Sequence, residues 1–212
     1  ETEFPAIANY LNRLTCPRFI SLYIPLYDGP IFEQYFTEVA KKLTALPNLQ
    51  ALDIYQINFN DQEGEVTRAA FYKSMSSITQ CKVLCLHFDP SDPKQISLVE
   101  FLNRNVNLRS LTLRIQYINQ YKVNDLLSKI KFPTTLEVLD LDICARSLNT
   151  IQEVKPFFTM IGPLINLRKL IMKWDLSGKY QDHFSFLSKL SDLEELNFTF
   201  VNHDGRIFLQ DF

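Results

Sequence analysis

One short pattern recurs seven times along this 212-residue chain: an apolar residue, two free positions, an apolar residue, one free position, an apolar residue. It reads clearly as Leu108-x-x-Leu111-x-Leu113, Leu136-x-x-Leu139-x-Leu141, Leu167-x-x-Leu170-x-Met172, Leu193-x-x-Leu196-x-Phe198 and Leu49-x-x-Leu52-x-Ile54. Weaker copies are Phe19-x-x-Leu22-x-Ile24 and Cys81-x-x-Leu84-x-Leu86. The first anchors fall at 19, 49, 81, 108, 136, 167 and 193, so the gaps are 30, 32, 27, 28, 31 and 26. A unit of this length cannot bury its own apolar face. Neighbouring units must stack on one another, which forces a solenoid with one continuous core. Within each copy the fourth and sixth positions share one face, because side chains alternate along a strand.

These LxxLxL motifs resemble the leucine-rich-repeat family, over roughly residues 16 to 200, in its long, irregular, ribonuclease-inhibitor-like form. The resemblance implies an α/β solenoid, a horseshoe arc of about seven repeats, with parallel strands on the concave side and helices on the convex side. Right-handed crossovers follow from strand twist. The sequence departs from the family at the ninth repeat position, where Asn or Cys normally satisfies turn backbone groups. Here that position reads Tyr27, Ile57, Asp89, Gln116, Cys144, Asp175 and Val201, and only Cys144 fits. The eighth position is apolar in six of seven copies: Leu26, Phe88, Ile115, Ile143, Trp174 and Phe200, with Gln56 the exception. Strands longer than usual, without a regular asparagine ladder, are expected.

Helical periodicity fills the gaps. Ile31 to Leu46 carries Phe32, Phe36, Val39 and Leu43 as a stripe, and Val66 to Ile78 carries Ala70, Phe71 and Met75. Ile96 to Leu102, Val123 to Ile130, Ile151 to Ile161 and Phe184 to Leu190 complete the set, with Pro156 kinking or starting the fifth. Pro5 to Leu14 reads as the helix of a preceding partial repeat, covering residues 1–18, before seven repeats over 19–212. No linker-like run interrupts the series, so a single domain is expected. Neither end carries a polar cap, and the chain has no initiator Met or signal peptide. It is therefore expected to be a piece of a longer protein.

Composition narrows the function classes. With 22 basic and 24 acidic residues, the charge is too balanced for a general nucleic-acid or anionic-membrane binder. The local cluster Lys122, Lys129 and Lys131 reads as the solvated face of one helix. No apolar run approaches the ~20 residues needed to span a membrane. The cysteines Cys16, Cys81, Cys85 and Cys144 form no CxxC pair, and no His stands at metal-ligand spacing from them. They read as reduced, mostly buried thiols of a cytoplasmic or nuclear protein. The Asn197-Phe198-Thr199 sequon carries little weight beside that reading.

Catalytic patterns are weak. Cys85 and His87 could make a nucleophilic pair, but two-residue spacing on a strand leaves their side chains parallel and about 7 Å apart. His203-Asp204 fits a polar turn before Gly205. The other acids, Glu194-Glu195 and Asp140 with Asp142, read as solvated faces. The five glycines are isolated, so no phosphate-cradling loop is present. No enzyme activity and no cofactor or metal is expected.

Binding is expected on the concave face. Its position-seven row reads Pro25, Tyr55, His87, Arg114, Asp142, Lys173 and Thr199, and its position-five row reads Tyr23, Asp53, Cys85, Thr112, Asp140, Ile171 and Asn197. Aromatics mixed with charges of both signs suit a protein interface. Tyr23, Tyr55, His87, Arg114, Asp142 and Lys173 are the expected contacts of a protein partner. Two further readings follow from the resemblance and from composition. The repeats could be the substrate-recognition part of an F-box-type ubiquitin ligase subunit. They could also be a scaffold subunit of a large assembly, a role that the abundance of Phe (17 copies) would fit.

Overall fold

The structure is a computed structural model, and it describes residues 17–24, 30–56, 72–88, 96–116, 128–144, 159–175, 181–201 and 207–208. Eight strands form one open sheet in sequence order: β1 (Phe19–Ile24), β2 (Ala51–Gln56), β3 (Val83–Phe88), β4 (Ser110–Gln116), β5 (Val138–Cys144), β6 (Lys169–Asp175), β7 (Glu195–Val201) and β8 (Ile207–Phe208). β1 to β7 pair in parallel. Parallel pairing of successive strands requires a crossover between each pair. Two of these carry α1 (Pro30–Thr44) and α2 (Ile96–Arg104), and another carries a 3-10 helix (Gln181–Lys189). This is the strand–helix solenoid of the leucine-rich repeat, with strands lining the concave side and helices the convex side.

The register is set by a repeated clamp. Two consecutive amides at the start of each strand donate to one carbonyl of the preceding repeat: Gln50 and Ala51 to Arg18, Lys82 and Val83 to Gln50, Arg109 and Ser110 to Lys82. The same pattern continues from Glu137 and Val138 to Arg109, from Arg168 and Lys169 to Glu137, and from Glu194 and Glu195 to Arg168. Slipping a strand by one residue would break its clamp and turn its apolar side chains outward.

That clamp corrects the first repeat. Phe19 pairs with Ala51 and Leu22 with Ile54, so the motif in β1 starts at Pro17 and not at Phe19. Ile20, Leu22 and Ile24 are its fourth, sixth and eighth positions, and the first gap is 32 residues. Tyr23 consequently sits at position seven beside Tyr55, and Ser21 at position five beside Asp53. Three alternating apolar residues in Ile20-x-Leu22-x-Ile24 make the two frames indistinguishable along the chain. Only the neighbouring strand decides between them.

The core is a pair of ladders. Leu52, Leu84, Leu111, Leu139 and Leu170 fill position four, and Ile54, Leu86, Leu113, Leu141 and Met172 fill position six, all nearly inaccessible at 0–1% exposure. At the first described strand, Ile20 and Leu22 rise to 7% and 8%; no strand pairs with its other side among the described residues. Val39, Ala40 and Leu43 of α1 and Leu98, Val99, Phe101 and Leu102 of α2 close the same core from the other side. Lys41 and Lys42 fall in the last turn of α1, where the helix dipole favours cations. Asn105 caps α2 by donating from Nδ2 to the Phe101 carbonyl at 2.8 Å.

The longer strands are present: β4, β5, β6 and β7 each run seven residues, through the ninth repeat position. In place of an asparagine ladder, scattered side chains stitch one repeat to the next. Gln80 donates to the Leu43 carbonyl, Thr135 to the Leu108 carbonyl and Asn166 to the Thr134 carbonyl. Asn103 both donates to the Lys129 carbonyl and accepts from the Lys131 amide.

Two features differ from expectation. The segment predicted as an α-helix over Phe184 to Leu190 is a 3-10 helix. It lies in the shortest gap, 26 residues, and a 3-10 helix rises about 2.0 Å per residue against about 1.5 Å for an α-helix. A short repeat thus crosses the convex side with fewer residues. At the far edge, β8 runs antiparallel to β7, pairing Phe208 with Phe200 and Ile207 with Val201. Its antiparallel direction sets it apart from the seven parallel repeat strands, and it covers backbone groups at the outer side of β7. The expected helix over 5–14, residues 66–71 of that over 66–78, 123–127 of that over 123–130, and 151–158 of that over 151–161, Pro156 among them, lie outside the described residues; Tyr72 to Met75, 128–129 and 159–161 are helical.

Candidate functional site

On the face opposite the leucine ladders, parallel register brings every second residue of each strand into rows running across the sheet, with neighbours about 4.8 Å apart. Position seven reads Tyr23, Tyr55, His87, Arg114, Asp142, Lys173 and Thr199 from β1 to β7. The six residues expected to contact a partner therefore form one unbroken row. For Tyr23 only the backbone is described.

The row is ordered internally. Tyr55, 41% exposed, stacks on His87 with ring centroids 3.8 Å apart and planes 22° apart. Partial burial pushes the His87 pKa below its ordinary 6.5, and Arg114 adds to this against the pull of Asp53 and Asp142. The imidazole is neutral at pH 7, which suits a stacked ring. Arg114 lies beside His87 in register but turns its guanidinium the other way, donating to Asp142 Oδ2 at 2.7 Å and to Asp140 Oδ2 at 3.3 Å. The acid pair Asp140 and Asp142 is thus ion-paired and not merely solvated. Glu194 and Glu195 are likewise taken up, by Arg168 and Lys169. Lys173 is exposed next to Asp142.

The position-three row adds apolar surface. Phe19 is 61% exposed and Val83 41%, with Ala51 between them in register. With Tyr55 they give the β1–β3 end of the face an aromatic and aliphatic character. The β4–β7 end carries Arg114, Asp140, Asp142, Lys169, Lys173 and Glu195. A single face is therefore sorted into an apolar half and a charged half. Val83 was legible in the sequence as a large apolar residue outside the ladder positions, whereas Phe19 was hidden because the sequence frame placed it at the first motif anchor.

Cys85 and His87 need a correction. Two residues apart on β3, they were expected to stand about 7 Å apart. Their reactive atoms instead converge, with Sγ 3.6 Å from Nε2, because the side chains lean together above the strand. Proximity does not make the pair nucleophilic. Burial, reinforced by the neighbouring Asp53 carboxylate, pushes the Cys85 thiol up to about 12. The thiolate is the reactive form, and at neutral pH it is scarce here. Asp53 comes from the adjacent strand. Its Oδ2 accepts from Ser21 Oγ at 3.2 Å, and its Oδ1 is buried with no hydrogen-bond partner among the described residues.

Elsewhere, the rim at the strand starts is charged, with Arg109 paired to Glu137 at 2.9 Å and Arg168 to Glu194. Lys129 and Lys131 are exposed, while Lys122, His203 and Asp204 lie outside the described residues. No helix among the described residues is long and apolar enough to cross a membrane.

No family model and no curated protein sequence matches the chain. Solved structures do resemble it. The C-terminal domain of tropomodulin from Caenorhabditis elegans is 10% identical, over 90% of this chain and 93% of that one, with a TM-score of 0.48. A leucine-rich-repeat-containing protein from Legionella pneumophila is 17% identical over 89% of this chain and 67% of that one, at a TM-score of 0.47. A protein from Bacteroides fragilis is 13% identical over 93% of this chain and 64% of that one, at 0.49.

Proposed function

We propose that this chain is a non-catalytic protein-interaction module whose concave face binds a protein partner. The observation that carries the reading is the position-seven row with its pre-stacked Tyr55–His87 pair. Two rings fixed against each other lose little further freedom on binding, and Tyr and Arg are favoured anchors at protein interfaces. The apolar half of the face would take an apolar segment of the partner, and the charged half would fix its orientation. Three features argue against catalysis at the Cys85–His87 pair: the raised Cys85 thiol, its partial burial and the engagement of His87 in stacking. The free thiols Cys81 and Cys85 fit a reducing, intracellular setting.

The test is quantitative binding of a protein recovered by affinity capture on the chain. Tyr55→Ala combined with Arg114→Glu and Lys173→Glu is expected to weaken its affinity by about 30-fold or more, as loss of a hot spot worth about 2 kcal/mol would. Glu38→Lys on α1 serves as the convex-side control and is expected to leave affinity unchanged. Unchanged affinity in the triple variant, with loss in the control, would move the site to the helices.

A further inference from the structure

Three residues on the concave face bring three potential ligand atoms together. Asp53 at position five of β2 pairs in register with Cys85 of β3, and His87 follows Cys85 on the same face. A carboxylate oxygen, Sγ and an imidazole nitrogen lie within 4.8 Å of one another. We infer that Asp53, Cys85 and His87 form a binding site for a thiophilic divalent transition ion, with Zn2+ its natural occupant.

The geometry is close to what the ion requires. Zn2+ bound tetrahedrally, at about 2.3 Å from sulfur and about 2.0–2.1 Å from imidazole nitrogen, holds those two atoms about 3.6 Å apart. The Sγ–Nε2 separation is 3.6 Å. Asp53 Oδ1 is buried and without a hydrogen-bond partner among the described residues, so a lone pair is available at a position where leaving it unused is costly. Stacking against Tyr55 fixes the plane of the imidazole ring. The site is also balanced in charge: a thiolate and a carboxylate together neutralise a divalent ion. On binding, the thiol proton leaves to solvent and the sulfur takes up the metal bond. The thiol that stays protonated without metal is converted by the ion itself, whose charge reverses the local preference. A sulfur–nitrogen–oxygen donor set favours Zn2+ or Co2+ over Mg2+, which prefers oxygen alone. Three protein ligands leave one tetrahedral position for water or an added group. Periodicity along the chain conceals such a site, because one ligand comes from the neighbouring repeat.

The site shares His87 with the proposed partner-binding row, but its test needs no partner and is made on the chain alone. The reduced whole chain is titrated with Co2+ near neutral pH, and Zn2+ is then added. The expected result is a thiolate-to-cobalt charge-transfer band that saturates at one equivalent and is displaced by Zn2+. Cys85→Ser abolishes the band, and Cys81→Ala, in the closed core, leaves it. Loss of an outer-shell partner already costs about 10–100-fold in affinity, so Asp53→Asn and His87→Ala are expected to weaken binding at least about tenfold. Zn2+ also raises the melting temperature of the parent chain and not that of Cys85→Ser. No band and no saturable Zn2+ binding in the parent chain would overturn the site, as would a band that survives in Cys85→Ser.

Discussion

Arg114 illustrates how single residues are committed on the concave face. Its guanidinium is held by two carboxylates of the next strand, and its side chain is 31% exposed, with Asp140 at 16%. Removing it leaves Asp140 half-buried, with Oδ1 already unpartnered. Arg114→Ala is therefore expected to lower stability by about 1–2 kcal/mol, more than a surface ion pair would. Combining it with Asp140→Asn should recover part of that loss in a denaturant-melt double-mutant cycle. The core thiol Cys81 gives a pH dependence. Burial raises it from about 9 to about 11. Between those values the unfolded thiol has lost its proton while the folded one keeps it, so its contribution to stability is present below pH 9 and lost as pH rises toward 11. Stability of the parent chain should fall more steeply across that window than stability of Cys81→Ala, even though the variant starts lower.

At the scale of elements, strands were far more legible than what joins them. Six of the seven motif frames stand as read, because Leu at position four with apolar residues at positions one and six leaves one solution per strand. The frame of β1 was missed because Ile20, Leu22 and Ile24 fit two frames equally, and the clamp onto the Arg18 carbonyl lies in the neighbouring repeat. The 3-10 helix was missed because its Phe and Leu spacing suits either helix, and repeat length decides. The concave row was readable once the frames were aligned. The Asp53–Cys85–His87 cluster was not, since Cys85 and His87 were weighed along one strand while Asp53 stood across from them. Position within the solenoid also sets energetic weight. Leu84→Ala, at 0% exposure and flanked on both sides, should cost about 3–4 kcal/mol, whereas Ile20→Ala, at 7% exposure on the first described strand, should cost about 2 or less. Equal costs in equilibrium denaturation would contradict the graded core.

The molecule as a whole is a stack of nearest-neighbour units whose inner face is fixed by the core it covers. The ladders face one way, so positions three, five and seven face the other. Sorting that face into an apolar half around Phe19, Tyr55 and Val83 and a charged half from Arg114 onward turns a structural by-product into a surface with direction. The most direct measurement is site-specific photocrosslinking to a captured protein partner, with the crosslinker placed in turn at Tyr55, Lys173 and Glu100, an exposed residue of α2. Crosslinks from Tyr55 and Lys173 and none from Glu100 are predicted; crosslinks from Glu100 alone would contradict the concave-face account.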